Sequence, residues 1–196
     1  MAQVIGVTGL IGAGKSVVVQ TMASLIGVPT FDSDRYAKET YRDQHVRKVI
    51  ISNFGFDPIN SDDSLDKSNL RRILENPRQK DQLEKIIHKA VEDVFYDFVN
   101  QCKAMYIVLE SAILFTSGFN QLCDYTIAVV ANNEMRKNRV LKRDVERSED
   151  DFDHLASLQS AEGKLQNQMA TFKINNDGNH SIIKAVEAIW GEITNI

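Results

Sequence analysis

Apolar positions along this chain switch repeatedly between short unbroken runs and helical spacing, so strands and helices are predicted to alternate. Val4 to Thr8 is a brief apolar run that stops at Gly9, as a strand buried on both faces would. Lys15 to Ile26 has helical composition, and Gly27 followed by Pro29 is a stop signal. Thr30 to Asp32 reads as a short extended piece, and Asp34 to Tyr41 and Val46 to Phe54 as helices. Asp57 to Ser64, with Pro58, is a polar turn region, and Asp66 is placed to cap a helix running through Glu75. Pro77 opens a long helix to about Gln101, with Leu83, Ile86, Ile87, Ala90, Val91, Val94, Phe95 and Phe98 in its apolar stripe. Met105 to Leu109 and Thr126 to Val130 are further apolar strands. Glu134 to Arg147 is a helix with a basic face, and Ser148 caps the helix after it. Phe172 to Ile174 is a last strand and Ser181 to Ile193 a closing helix. This order predicts an α/β fold: a parallel sheet with helices on both faces.

Composition narrows the classes. Across 196 residues, 43% hydrophobic and 26% charged residues describe an ordinary globular chain and exclude a disordered one, a collagen or a disulfide-rich toxin. A net charge of −4 argues against a general nucleic-acid binder, so any anion site must be a local positive pocket. Cys102 and Cys123 lie in or beside apolar segments without metal or redox spacing, and read as buried reduced thiols. No apolar run approaches the ~20 residues of a membrane span. No basic segment and long apolar stretch open the chain, so no signal peptide is expected. The expectation is a cytoplasmic protein with neither membrane nor nucleic-acid partner, a monomer or weak homo-oligomer.

The strongest chemical signal is Gly9-Leu10-Ile11-Gly12-Ala13-Gly14-Lys15-Ser16, a full match to G-x-x-x-x-G-K-[ST] between a predicted strand and helix. Gly9 and Gly14 are expected to supply backbone angles and close approach that a side chain would forbid. Amides from Gly12 to Ser16 form an anion nest, and the following helix adds its positive dipole end. Lys15 reaches the β- and γ-phosphates, and the Ser16 hydroxyl is placed to ligate Mg²⁺. Neither D-x-x-G nor N-K-x-D occurs, so guanine specificity has no support.

Phe31-Asp32-Ser33-Asp34-Arg35 follows the first helix. A right-handed crossover returns the second strand parallel to the first, so it ends at the edge that carries the phosphate loop, where ligands of open α/β sheets bind. A carboxylate there can accept a proton from an attacking hydroxyl or hold a metal-bound water. Asp34 is the candidate for that work, and Asp32 is assigned mainly to packing or capping. Glu110 ends the third strand and could support Mg²⁺, or be a loop or capping acid.

Residues 136 to 147 read RKNRVLKRDVER, with Arg136, Arg139 and Arg143 on one helical face. Such a run is often a solvated face. After the fourth strand of a phosphate-loop protein it can instead bridge phosphates, a task that suits guanidinium forks. His45, His154 and His180 are isolated.

The ordered set of motifs resembles the dephospho-CoA kinase family across nearly the whole chain. Val7 to Ser16 is similar to its phosphate loop, and Phe31 to Asp34 to its D-x-D segment, with Asp34 on the proposed catalytic aspartate. Asp66 to His88 looks like its substrate-domain helices. Ile113-Leu114-Phe115-Thr116-Ser117-Gly118 resembles its P-L-L-F-E-S-G segment, and Arg139 and Arg143 fall on its R-x-x-x-R pair. Gln159 matches a lid glutamine, and Ile174 to Gly178 the late stretch near adenine. Leu10, Val17, Lys89, Ala112 and Thr116 depart from the pattern; Thr116 stands where the family has glutamate. These departures bear on how the CoA moiety is gripped, not on phosphoryl transfer.

The resemblance implies Mg²⁺-dependent transfer from ATP to the ribose 3′-hydroxyl of dephospho-CoA. Asp34, Lys15 and Arg143 would be catalytic. ATP would meet Gly9, Gly12, Ala13, Gly14, Lys15, Ser16, Val17, Arg139, Arg143 and Asn176, and the acceptor Asp34, His88 and Arg139. It also implies a single kinase domain: a phosphate-loop core (about 1–34, 103–133 and 170–196), a helical substrate region (about 35–102) and a helical lid (about 134–169). From the residues alone, another small-molecule kinase of this architecture, such as a nucleoside monophosphate kinase, and a nucleotide-binding regulatory module stay open.

Overall fold

The computed structural model describes residues 2–195. It opens with β1 (Gln3–Thr8), α1 (Lys15–Ile26) and β2 (Thr30–Asp32). Four helices follow: α2 (Ser33–Thr40), α3 (Gln44–Phe54), α4 (Lys67–Glu75) and α5 (Pro77–Gln101). The chain then runs through β3 (Tyr106–Glu110), a 3₁₀ turn (Phe119–Leu122), β4 (Tyr125–Val130) and α6 (Asn133–Arg143). It closes with α7 (Glu149–Leu158), α8 (Ser160–Met169), β5 (Phe172–Asn175) and α9 (Ile182–Thr194).

The five strands form one parallel sheet in the order β2-β3-β1-β4-β5. The alternation of strand and helix foretold this class. β1 takes the centre because the chain leaves it to one side for β2 and β3 and to the other for β4 and β5. A crevice at the carboxyl end of β1 follows from that reversal. On one face, Val18, Val19 and Met22 of α1 and Val186, Ile189 and Ile193 of α9 pack against Ile5, Val7, Val108, Ile127 and Val129 of the sheet. Each such side chain contributes about 1.5–3 kcal/mol when buried. On β1 itself, a Cβ at Gly6 would lie 2.7 Å from Cys123 Sγ and 2.8 Å from Leu114 Cδ2, so the strand is packed tightly there. Burial, and then the Asp124 carboxylate, push the Cys123 thiol up to about 12, which leaves it unreactive.

Two compact units emerge, Met1–Asp32 with Cys102–Ile196, and Ser33–Gln101. In the second, α2, α3 and α4 pack on the long α5, whose Leu83, Ile87, Val91 and Phe95 are buried. Its caps are local: Asp43 accepts hydrogen bonds from the amides of His45 and Val46, and Asp66 from that of Asn69. Among the described residues, no helix is long and apolar enough to cross a membrane.

One boundary departs from the sequence reading. The basic helix ends at Arg143, not Arg147. Asp144 sits outside helical geometry as the C-cap, its carboxylate held by Arg143 and Arg147, and Ser148 with Asp151 begins α7 through a capping box. A second departure is the break at Gln159, which separates α7 from α8.

Candidate active site

β1 delivers the chain to the sheet edge at Thr8, and residues 9 to 14 turn back into α1. The turn closes through the Ala13 amide donating to the Leu10 carbonyl at 2.9 Å. Gly12 and Gly14 have φ of +78° and +92°, in the left-handed region. Side chains there would also collide, at Gly12 with the Arg136 carbonyl and at Gly14 with the Asn176 amide. Gly9 is different from what the motif suggested. Its φ is not positive; what it supplies is space, since a Cβ would stand 2.8 Å from the Val129 carbonyl oxygen. Gly14 caps α1 without any side-chain hydrogen bond, and the first turn of α1 holds no acid. The amides at this helix end are thus not matched by a carboxylate of their own helix, which favours an anion.

Two functional side chains of the loop converge on one acid. Lys15 Nζ donates to Glu110 Oε1 at 3.0 Å, and Ser16 Oγ donates to the same oxygen at 2.8 Å. Glu110 is buried at the end of β3, in register with Val7 of β1 and Asp32 of β2. The sheet therefore places it at the carboxyl edge, beside the phosphate loop. Val17, next in α1, has an exposed side chain.

The three arginines of α6 do different things. Arg136 is buried, with Nη1 donating to the Ile11 carbonyl at 3.2 Å and Nη2 to Asn133 Oδ1 at 2.7 Å, and its guanidinium lies over the Phe152 ring. Burial lowers its pKa from the ordinary arginine value. Arg139 reaches the carbonyls of Gly12 and Ala13, both at 3.4 Å, and donates through Nη2 to the Asn176 carbonyl at 2.8 Å. Asn176 completes this link by donating from Nδ2 to the Ala13 carbonyl at 2.8 Å. Arg143 lies one turn on, two-thirds exposed, with a two-pronged bond to Asp144 at 2.8 and 2.9 Å. That bond raises the Arg143 pKa and holds the Asp144 carboxyl below its usual range. Of the expected arginine pair, the structure brings Arg139 to the loop and joins Arg143 to its own neighbour. A cleft of about 340 Å³ continues from Arg139 along α6, lined by Asn132, Met135, Asn138 and Lys142.

Asp34 and His88 belong to the helical unit. Asp34 stands in the first turn of α2, two residues after β2 ends. His88 is half-buried on α5; burial lowers its pKa, opposed by Glu84.

Two residues contribute to the loop in ways the sequence does not reveal. One is Arg136, grouped there with Arg139 and Arg143 as a face able to bridge phosphates and in the structure buried against the loop. The other is Glu162 of α8, 1% exposed, whose carboxylate accepts from Thr8, Phe115 and Thr116. Three residues before it, Gln159, the N-cap of α8, accepts from the Ile11 amide through Oε1 at 2.7 Å.

The donor set near the loop suits Mg²⁺. The Ser16 hydroxyl and the Glu110 carboxylate are hard oxygen groups sharing a contact, and no cluster of three or more His, Cys, Asp or Glu able to hold a metal exists among the described residues. Few protein ligands with the rest from phosphates and water is how Mg²⁺ is usually bound in nucleotide sites.

Sequence comparison gives a match to the family described as dephospho-CoA kinase over residues 3–181. A dephospho-CoA kinase from Porphyromonas gingivalis is 34% identical over 189 residues, covering 94% of this chain and 91% of that protein. A crystal structure of a Thermus thermophilus protein superposes with a TM-score of 0.83 at 25% identity, covering 98% of each chain. A dephospho-CoA kinase from Campylobacter jejuni shares the fold, with a TM-score of 0.62 at 22% identity over 100% of this chain and 98% of its own.

Proposed function

The chain belongs to the dephospho-CoA kinase family, and we propose that Lys15, Ser16, Asp34, Arg139 and Arg143 divide between them the work of moving a phosphoryl group from ATP to the ribose 3′-hydroxyl of dephospho-CoA. It is a kinase of coenzyme A synthesis with ATP as co-substrate. The observation that carries the assignment of the site is the convergence of Lys15 and Ser16 on Glu110, beside a loop whose two positive-φ glycines leave no room for side chains.

Amides of residues 12 to 16 receive the phosphates. Lys15 exchanges part of its contact with Glu110 for phosphate oxygens as charge builds on them. Ser16 and Glu110 are the groups that would hold Mg²⁺, directly or through water. When bound, that ion neutralises phosphate charge. Arg139 and Asn176 brace Gly12 and Ala13, so the loop is shaped before the nucleotide arrives. The cleft along α6 is large enough for part of a nucleoside. Asp34 orients the acceptor hydroxyl and takes its proton; its support is its place directly after β2 and the family's D-x-D pattern. His88 contributes to holding the acceptor. Catalysis of this kind is mostly positioning and electrostatic stabilisation.

A coupled ADP-release assay over a small acceptor panel tests the reading. Turnover should appear with dephospho-CoA, ATP and Mg²⁺, and fall sharply without the metal. Turnover with a nucleoside monophosphate instead would assign another small-molecule kinase. Tight nucleotide binding with no acceptor turned over would assign a regulatory module.

Arg143→Ala should lower kcat more than it weakens ATP binding without acceptor. Its bond to Asp144 is exposed and adds little stability, so the side chain can leave it for phosphate oxygens in the transition state. Arg143→Lys should not restore activity, because an ammonium cannot reproduce a two-pronged contact. Wild-type turnover in the lysine variant would make Arg143 a solvated surface residue.

A further inference from the structure

We infer that Glu162 is a positioning residue: its carboxylate pins the chain that leads into the phosphate loop to the segment that follows Glu110, and thereby sets the loop's affinity for nucleotide. This rests on the kinase reading of the same site. Glu162 Oε1 accepts from the Thr8 hydroxyl at 3.1 Å and the Phe115 amide at 3.1 Å. Oε2 accepts from the Thr116 amide and hydroxyl, both at 2.9 Å. Every partner is a donor, which suits an acceptor-only carboxylate.

The connections matter because of where they lead. Thr8 is fully buried and immediately precedes Gly9. Phe115 and Thr116 lie five and six residues after Glu110, the acid on which Lys15 and Ser16 meet. One side chain thus ties together both strands of chain that bound the phosphate site, β1 through Thr8 and the continuation of β3 through residues 115 and 116. Gln159, the N-cap of α8, accepts from the Ile11 amide, and Gly163 packs closely on Leu10: a Cβ there would stand 3.3 Å from Leu10 Cδ1. The N-cap and first turn of α8 therefore meet residues 8, 10 and 11. Burying a charged group in this place costs desolvation that an apolar side chain would avoid. Four convergent hydrogen-bond donors offset that cost and fix a geometry in a way that apolar packing does not.

The position also accounts for one departure from the family pattern. Thr116 stands where the pattern has glutamate, and its hydroxyl donates to Glu162. In this chain the carboxylate next to these backbone amides is contributed by α8.

The test compares wild type with Glu162→Ala, Glu162→Gln, Thr8→Val and the Thr8→Val/Glu162→Ala double variant. ATP affinity is read by displacement of a fluorescent ATP analogue without acceptor, kcat and KM by the coupled assay, and folding by thermal melting. Glu162→Ala should weaken ATP binding about tenfold, the fold-change of ~1.4 kcal/mol. Glu162→Gln should bind at an intermediate level, since its amide can donate to Thr8 while its carbonyl keeps the Thr116 contacts. Thr8→Val should weaken binding a few-fold and add nothing to Glu162→Ala, as expected if both act through one bond. Should Glu162→Ala fail to fold, Glu162→Gln and Thr8→Val carry the comparison. Melting temperatures that fall while ATP affinity stays at the wild-type value in every folded variant would overturn the inference. Because the binding readout needs no acceptor, an inactive wild type toward dephospho-CoA would defeat the kinase reading and leave this measurement decisive.

Discussion

Lys15→Ala is expected to lower kcat by about 10²-fold or more, the scale of a lost contact to charge that develops in the transition state. The residue lies at the start of α1, where it adds charge to the phosphate site and no core packing. In the mechanism proposed above, the β- and γ-phosphates are its targets. The structure adds a consequence that the motif does not carry. Lys15 is paired with Glu110 at 3.0 Å, and both side chains are largely out of water, 15% and 11% exposed. Removing the ammonium weakens the compensation of a buried carboxylate, a cost of about 1–3 kcal/mol. Alanine should therefore lower the melting temperature by several degrees as well as abolish turnover. The control is Glu110→Gln in the Lys15→Ala background, which should recover part of the stability and none of the activity. Near-wild-type kcat in a folded Lys15→Ala protein would sink the kinase mechanism proposed above.

Asp34→Asn is expected to have a comparable effect, about 10²-fold or more on kcat, as for a lost general base. ATP affinity should change little, because the phosphate loop and Ser16 remain. Asp32→Asn should do less. Although only one residue lies between the two acids, they belong to different elements. Asp32 is the last residue of β2 and pairs in register with Glu110, so it stays in the sheet. The helix α2 starts at Ser33, a buried residue, and Asp34 occupies its first turn. An acid in that turn is favoured by the helix dipole. Single-turnover rates with dephospho-CoA separate the two variants from effects on product release. If Asp32→Asn is the damaging change and Asp34→Asn turns over normally, the base has been assigned to the wrong carboxylate.

Much of this protein was readable without coordinates, because its signals are local. A strand or helix depends on spacing within about ten residues, and so the five strands and the long α5 helix, from Pro77 to Gln101, appear in the pattern of apolar positions. Caps are equally local: Asp66 and Ser148 bond amides three residues away. The phosphate loop is a contiguous octapeptide whose chemistry follows from its own residue types. Parallel strand direction followed as well, since a helix between two strands leaves little alternative.

Local spacing has no access to contacts between residues far apart in the chain, and there the tertiary structure decided. Arg136, Arg139 and Arg143 share one helical face in sequence, yet the first two meet the carbonyls of residues 11 to 13 and the third turns to Asp144. The helix ends at Arg143, just where Asp144 takes up a C-cap geometry that a count of helix formers does not reveal. Nothing in its local sequence puts Glu110 beside Lys15 and Ser16; register with Val7 and Asp32 does. Gly9 looks like Gly14 in the motif but serves for space, because the Val129 carbonyl that crowds it comes from a strand 120 residues away. Glu162 is the extreme case. In sequence it is one acid among many on polar helices; its burial and its four donors exist only because residues 8, 115 and 116 arrive from two other parts of the chain.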